Sequence, residues 1–182
     1  MSKVLLFLAD GHEEVEAYTV VDIARRAGIE LTTVSITGKK EVTGSHSITT
    51  IADCLLEEAD FNSADMIVLP GGMPGTRNLE ACETLMKKVD EFFKEGKYLA
   101  AICAAPTIYG HKGYLGGKKA TCYPGMEGEL TGAKFSRADV AKDGKFITSR
   151  GVGTAIPFAL AIVEELKDKD TAKKLAASIV YK

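Results

Sequence analysis

The hydrophobic positions of this chain fall into short continuous runs separated by segments with helical periodicity. The first run covers residues 3–8, an amphipathic segment follows over residues 13–27 and ends at Gly28, and the next run covers residues 31–36. Apolar runs without polar alternation are typical of strands buried on both faces of a parallel sheet. The pattern therefore predicts a βαβ unit with a right-handed crossover.

The rest of the chain alternates in the same way, with turn signals between the elements. Two prolines and three glycines over residues 70–75 should stop any regular structure, and Asp143-Gly144 is a strong signal for a β-hairpin. The predicted elements are a small antiparallel excursion (37–60), strands at 65–69 and around Tyr98, a helix (80–95), a short helix (107–109), a short strand (119–122), a loop (123–132), hairpin strands (138–141 and 145–149), and helices at 154–166 and 171–178.

Strands that alternate with helices predict an α/β fold. At 182 residues the chain fits a flavodoxin-like, doubly wound α/β sandwich with a mostly parallel central sheet, rather than a barrel. We find no repeat, low-complexity segment or linker, and we expect residues 1–182 to form a single domain.

Composition narrows the class of function. The 23 basic and 25 acidic residues give a net charge of −2, and both signs are interspersed, so no specific nucleic-acid or anionic-membrane binding is expected. The apolar run at residues 4–9 is too short for a membrane span, and the acidic residues after it are unlike a signal peptide, so we expect a cytoplasmic protein. The four cysteines form no C-x-x-C pair and histidines are few, which indicates free thiols and no metal site.

The strand around Tyr98 runs into a turn of small residues that contains Cys103. A side chain at a sharp strand-to-helix elbow is exposed at the sheet edge only when its neighbours are small, as Ala101, Ala104 and Ala105 are. The elbow also directs a helix N-terminus at the sulfur, which favours the thiolate. This stretch alone fits a nucleophile or a cysteine packed in the core equally well.

The position of Cys103 relative to other loops favours the nucleophile. In sheets of this type ligands bind beyond the carboxyl ends of the strands, and three further loops are expected there, at residues 10–16, 71–75 and 149–154. Gly151 and Gly153 lack the third glycine of a dinucleotide-binding fingerprint, so no nucleotide site is expected.

Glu16 is the candidate acid and base. It points to a different side of the first helix from Glu13, inward over the strand ends. A carboxyl beside the thiolate of Cys103 should have a raised pKa and could donate and accept protons. The alternative is that Glu16, like Glu14, simply suits the helix dipole.

Backbone amides complete the predicted site. The amides of Gly71 and Gly72 have no side chains in their way and, with the amide of Ala104, suit an oxyanion hole, although the glycines could simply make the turn. The histidines, which show no metal-ligand spacing, are expected to be solvated loop residues, and His12 is nearest the predicted site.

Five stretches in this order resemble the ThiJ/PfpI superfamily, and within it the branch of the parkinsonism-associated protein deglycase and its bacterial relatives. They are GHEEVEA (11–17), DIARRAGI (22–29), VLPGG (68–72), AAICAAP (100–106) and TSRGVGT (148–154). The resemblance covers nearly the whole chain and agrees with the fold predicted above. It implies that Cys103 is the reactive nucleophile, that Glu16 is the carboxyl hydrogen-bonded to it, and that Gly72 and Ala104 form the oxyanion hole.

One departure from the family matters for the chemistry. Many relatives carry a histidine in a Thr-His-Pro context where this chain has Cys122 and Tyr123. Without the third member of a triad, peptidase activity is not expected. Cys122 and Tyr123 could line the site with His12 and Gly71, and Cys122 is interpreted as a packed thiol, or alternatively as a resolving one.

The resemblance implies an enzyme without a cofactor, either a glyoxalase or a protein deglycase. Its substrate would be methylglyoxal or an adduct of it on a protein or nucleotide. The alternative is an oxidative-stress sensor or chaperone that works through oxidation of Cys103, and a weaker one is a role in thiazole or thiamine biosynthesis. The resemblance also implies a homodimer, for which the first helix with Arg25 and Arg26 is a candidate interface.

Overall fold

The computed structural model describes residues 2–181 of the chain as a layered α/β fold. The strands are β1 (Lys3–Leu8), β2 (Glu30–Ser35), β3 (Glu41–Thr43), β4 (Thr49–Ile51), β5 (Cys54–Leu55), β6 (Met66–Leu69), β7 (Tyr98–Ile102), β8 (Lys119–Ala120), β9 (Lys134–Phe135), β10 (Val140–Asp143) and β11 (Phe146–Ser149). The helices are α1 (Glu14–Arg26), α2 (Gly75–Ala81), α3 (Glu83–Lys94), α4 (Pro106–His111), α5 (Ala155–Leu166) and α6 (Lys169–Ser178).

The central sheet has seven strands in the order β10-β11-β7-β6-β1-β2-β5. Its strands pair in parallel except at the edge, where β10 and β11 form an antiparallel hairpin around Asp143 and Phe146. The predicted α/β fold with a mostly parallel sheet and the Asp143-Gly144 hairpin are therefore confirmed.

Successive side chains of β1 enter two different cores, as the two-residue period of a strand requires. Leu6 and Leu8 pack in the core on the α1 and α5 side, which also contains Phe158. Leu5 and Phe7 pack on the opposite face, in the core shared with α3 and α4. The strand is buried on both sides because helices cover both faces of the sheet.

Several predicted boundaries are wrong. The single helix predicted over residues 80–95 is two helices, α2 and α3, which are interrupted at the extended residue Cys82 (ψ 93°). Helix α2 already begins at Gly75, so the irregular stretch after β6 is shorter than the glycines and prolines indicated.

The short strands also differ from the prediction. The strand predicted at residues 119–122 is limited to β8, which pairs in parallel with β9 in a separate two-stranded sheet. Neither β9 nor the edge strand β5 was anticipated. The last helix begins at Lys169, two residues earlier than predicted, because Asp168 caps it by accepting a hydrogen bond from the Thr171 amide.

A helix that spans a membrane must be both long and apolar. Over residues 2–181, no helix is both long enough and apolar enough to cross a bilayer.

Candidate active site

Cys103 follows β7 at the carboxyl edge of the central sheet. Its backbone is left-handed, with φ 64°, a conformation that costs free energy for any residue with a side chain. Two backbone hydrogen bonds hold it there: its amide donates to the Ser149 carbonyl at 3.0 Å, and its carbonyl accepts from the Tyr123 amide at 2.7 Å. The elbow is thus fixed between the end of β11 and the loop after β8.

Glu16 lies in the first turn of α1 with its side chain fully buried. Its Oε2 accepts a hydrogen bond from the Gly71 amide at 2.9 Å, and its carboxyl is within hydrogen-bonding reach of the Cys103 thiol. Its Oε1 has no well-aligned partner among the residues that the structure describes. One carboxyl oxygen is therefore held in place while the other is left for proton exchange.

Burial raises the pKa of Glu16 to about 7, despite the hydrogen bonds from Cys103 and Gly71 that favour the carboxylate. The direction agrees with the expectation, but the cause is burial rather than the neighbouring Cys103 sulfur, whose hydrogen bond lowers the pKa. A carboxyl whose pKa lies near neutral pH exchanges protons in both directions without a large driving force.

The Cys103 thiol does not have the low pKa that the elbow alone suggested. Burial, followed by the Glu16 carboxylate, raises the pKa of Cys103 to about 12, and hydrogen bonds from the Ala104 and Gly72 amides offset only part of this. The sulfur and the carboxyl are thus linked, since ionising one disfavours ionising the other. A thiolate at Cys103 is therefore less disfavoured when Glu16 carries a proton.

The glycines after β6 allow this close approach. A Cβ on Gly71 would lie 2.5 Å from the Cβ of Cys103 and 2.7 Å from Oε2 of Glu16. Gly72 has φ 91°, and a Cβ on it would lie 2.4 Å from the Glu13 amide nitrogen. The glycines therefore make the turn and also leave room for the Cys103 and Glu16 pair.

Cys103 and Glu16 open into a cavity of about 650 Å³ at the edge of the sheet. Besides Glu16, its acidic and basic side chains are Glu13, His46 and Arg150, which come from three separate segments. Arg150 Nε is buried with no hydrogen-bonding partner in the described part of the chain. Sequence reasoning did not single out His46 or Arg150, although Arg150 lies in a loop that was expected at the site.

The structure brings Cys103, Glu16, Gly72 and Tyr123 together in this cavity, and Gly71 lies immediately beneath it. Cys122 does not line the cavity, because its side chain is buried in the core on the opposite face of the sheet. Burial raises the pKa of Cys122 to about 11. This placement matches the interpretation of Cys122 as a packed thiol.

The expectation of solvated histidines is wrong for His12. Its side chain is fully buried, and Nδ1 lies 2.9 Å from the Ala9 carbonyl oxygen. It lies behind the site rather than in the cavity. His111 is exposed and lies between two carboxylates, with Nδ1 2.6 Å from Glu80 and Nε2 2.7 Å from Glu129.

One cluster has the spacing of a metal site. Ligand atoms of Glu13, Glu14 and His46 lie within 4.8 Å of one another. However, Glu14 already accepts hydrogen bonds from both the ring and the backbone amide of His46, at 2.9 and 2.8 Å. These hydrogen bonds account for the cluster without an ion.

Comparison with known proteins gives the same family as the sequence motifs. A model of the DJ-1/PfpI family matches residues 2–165. The chain belongs to the DJ-1/PfpI family. Protein DJ-1 homolog B of Arabidopsis thaliana is 39% identical over 184 residues, which cover 99% of this chain and 42% of that protein. This family member thus spans less than half the length of its Arabidopsis relative.

Other relatives match over their full length. A protein named deglycase from Pyrococcus abyssi is 31% identical over 167 residues, which cover 91% of this chain and 99% of that protein. The crystal structure of Drosophila melanogaster DJ-1beta superposes with a TM-score of 0.95 at 36% identity, with all of both chains covered. Oxidized Toxoplasma gondii DJ-1 gives a TM-score of 0.95 at 35% identity, with 100% and 99% of the two chains covered. These structures share the flavodoxin-like architecture of this DJ-1/PfpI protein.

Proposed function

We propose that this protein is a cofactor-independent glyoxalase or deglycase that acts on methylglyoxal or its adducts. The proposal depends chiefly on the buried Glu16 carboxyl beside the Cys103 thiol, with a pKa near neutrality. A nucleophile with an adjacent proton acceptor is the arrangement that covalent catalysis on a carbonyl needs. The relative named deglycase supports the same class of reaction.

The first step forms a carbon–sulfur bond. Cys103 gives its proton to the Glu16 carboxylate as the sulfur adds to the aldehyde carbon of methylglyoxal. The aldehyde oxygen becomes an oxyanion, which the amides of Gly72 and Ala104 would stabilise before it takes the proton back from Glu16. The product is a neutral hemithioacetal on Cys103, with Glu16 ionised again.

The second step moves a proton between the two carbonyl carbons. The Glu16 carboxylate removes the proton from the carbon bonded to sulfur, which gives an enediolate. The hydroxyl proton on that carbon's oxygen moves to the oxygen of the neighbouring carbon, and Glu16 returns its own proton to the neighbouring carbon. The result is a lactoyl thioester. Water then hydrolyses the thioester, which releases lactate and regenerates the thiol, so the net reaction is methylglyoxal plus water to lactate.

Peptidase activity is not part of the proposal. Where many relatives carry a histidine in a Thr-His-Pro context, this chain has Cys122, which is buried, and Tyr123, which lines the cavity. No imidazole is therefore supplied there to protonate an amine leaving group, which cleavage of a peptide bond requires. Isomerisation of an α-oxoaldehyde needs no such leaving group.

Lactate formation from methylglyoxal tests the proposal. Cys103→Ser should abolish it while circular dichroism and thermal unfolding stay near those of the wild type. A serine variant that retains wild-type turnover would refute the role of Cys103, and a wild-type protein that makes no lactate and repairs no methylglyoxal adduct would refute the activity.

A sensor of oxidative stress is the second candidate, supported by the oxidized state of the Toxoplasma relative. One peroxide converts a thiolate into a sulfenate and water, and a second peroxide gives the sulfinate. The raised pKa of Cys103 weighs against spontaneous oxidation, since the thiolate is the reactive form. Mass spectrometry after mild peroxide treatment distinguishes the candidates: selective oxidation of Cys103 with negligible turnover favours the sensor.

A homodimer is proposed from family membership and from a groove beside α1. Val15, Tyr18, Ile156 and Ile179 contribute apolar lining to this groove. Arg26, one of the two arginines expected at an interface, also lines it but already pairs with Asp22 at 2.7 Å. The apolar groove is therefore the better candidate surface, and light scattering after size-exclusion chromatography tests the stoichiometry.

A further inference from the structure

Cys103 opens into a second cavity that the proposed reaction does not yet use. This cavity has a volume of about 380 Å³ and adjoins the charged one. Its lining is formed by Gly72, Met73, Cys103, Ala104, Tyr123, Pro124, Gly125 and Met126. We call it the apolar lobe, because its lining contains no charged side chain. Met73 and Tyr123 are 45% and 52% exposed, so the lobe is an open apolar surface beside the nucleophile.

The two cavities meet at the sulfur. Gly72, Cys103, Tyr123 and Pro124 line both of them. Glu16 lines the charged cavity only, with Glu13 and Arg150, whereas Ala104 lines the apolar lobe. A carbonyl carbon bonded to the sulfur would therefore have the proton-transfer group on one side and apolar side chains on the other.

We propose that the apolar lobe binds the hydrophobic substituent of an α-oxoaldehyde and makes the site selective for aryl or branched members of that class. This inference rests on the proposed function for the reaction itself. It adds a preference among the substrates of that reaction. An apolar substituent in the charged cavity would displace the water that hydrates Glu13 and Arg150, which costs free energy. In the lobe it displaces water from methionine and tyrosine side chains, which is favourable.

The size of the lobe argues for a substituent larger than a methyl group. A methyl leaves most of about 380 Å³ to water, whereas an aromatic ring would fill more of it beside Met73 and Met126, and methionine side chains make favourable contacts with aromatic rings. Each additional methylene buried in a hydrophobic pocket changes specificity by about tenfold or more. Selectivity of at least that size is expected for phenylglyoxal over methylglyoxal in kcat/KM.

Alkylation of Cys103 tests the lobe without requiring turnover. The probes are iodoacetamide and its N-phenyl derivative, with the rate at Cys103 followed by mass spectrometry and divided by the rate with N-acetylcysteine. The aryl probe is expected to react about tenfold faster than iodoacetamide after this correction. Met73→Gln and Met126→Gln should each bring the ratio close to one. Val152→Gln is the matched control, because Val152 is an exposed apolar residue that lines the charged cavity, and its ratio should remain that of the wild type.

The outcomes separate this inference from the proposed function. Equal corrected rates in the wild type, or an equal loss of selectivity in Val152→Gln, would refute the apolar lobe whether or not lactate is formed. An aryl preference that Met73→Gln and Met126→Gln remove supports the lobe. If that preference occurs without turnover of any α-oxoaldehyde, the enzymatic proposal fails while the lobe stands as a site for an aryl group attached at Cys103.

Discussion

Glu16 Oε2 accepts a hydrogen bond from the Gly71 amide at 2.9 Å, which fixes a buried carboxyl of the first helix against the turn that follows β6. This single contact joins helix α1 to the loop after β6, and Cys103 lies against both partners. The orientation of the acid and base is therefore set by the backbone of the sheet edge.

Glu16→Gln should lower kcat for lactate formation by about 10²- to 10⁴-fold, the range that a general acid–base group contributes. The amide keeps the size of the side chain and an oxygen for Gly71, but it cannot take the thiol proton. The measurement is the steady-state rate with methylglyoxal. Glu127→Gln serves as the control, since Glu127 lines neither cavity, and it should retain the wild-type rate. Wild-type turnover in the Glu16→Gln variant would exclude proton transfer by Glu16.

Stability should depend on pH through Glu16. Burial raises its pKa from 4.5 to about 7, so over that window the folded protein keeps a proton that the unfolded chain has released. The free energy of unfolding therefore falls as pH rises through the window, by about 3 kcal/mol from this group.

Urea unfolding of the wild type and Glu16→Gln at pH 4.5 and at pH 7 measures this contribution. The variant cannot ionise at position 16, so its stability relative to the wild type should increase between the two values. A stability difference that does not change with pH would show that the pKa of Glu16 is the same in the folded and unfolded states.

Gly71→Ala should disrupt the pair while leaving the fold in place. The new methyl group would approach both Cys103 and Glu16 to within 3 Å, and overpacking of this kind costs about 1–3 kcal/mol. We expect loss of most activity with a modest loss of thermal stability. Gly128→Ala is the matched control, because a Cβ there meets nothing within 4 Å. Equal behaviour of the two variants would contradict the steric argument.

His111 should contribute stability that is lost as pH rises. Hydrogen bonds to Glu80, then Glu129, raise its pKa from 6.5. The contribution is therefore full below pH 6.5 and is lost as pH rises through the folded-state pKa. Because the side chain is 40% exposed, we expect no more than about 1 kcal/mol.

A double-mutant cycle between His111→Gln and Glu129→Gln isolates this interaction. The coupling energy should be larger below pH 6.5 than in alkaline buffer. Coupling that is the same in both buffers would show that the imidazole does not change its charge in this range.

The sheet could be predicted from sequence because its central strands are continuous apolar runs, buried on both faces. The start of α2 could not, since glycine disfavours a helix. Gly75 is required there for packing, because a Cβ on it would lie 2.5 Å from the His12 amide nitrogen. β5 and β9 have two residues each, too few to show a period.

The candidate site was predictable in part for a similar reason. Cys103 and Glu16 stand in stretches with distinctive local patterns, an elbow of small residues and a helix start. His46 lies in the antiparallel segment at residues 37–60, and Arg150 lies in the loop at residues 149–154. The placement of these two segments relative to each other depends on the whole fold. The burial of His12 was missed because its Nδ1 atom pairs locally with the Ala9 carbonyl, a contact that leaves no trace in residue spacing.

The left-handed backbone at Cys103 means that the residue best for stability at this position differs from the residue needed for the proposed chemistry. A residue other than glycine in this conformation costs about 1–3 kcal/mol, and glycine would avoid that cost. A chain optimised for folding alone would therefore carry glycine at the elbow. Cysteine at this position therefore lowers the stability of the folded protein. Substitutions intended to stabilise the protein should leave residue 103 unchanged and be made at other positions.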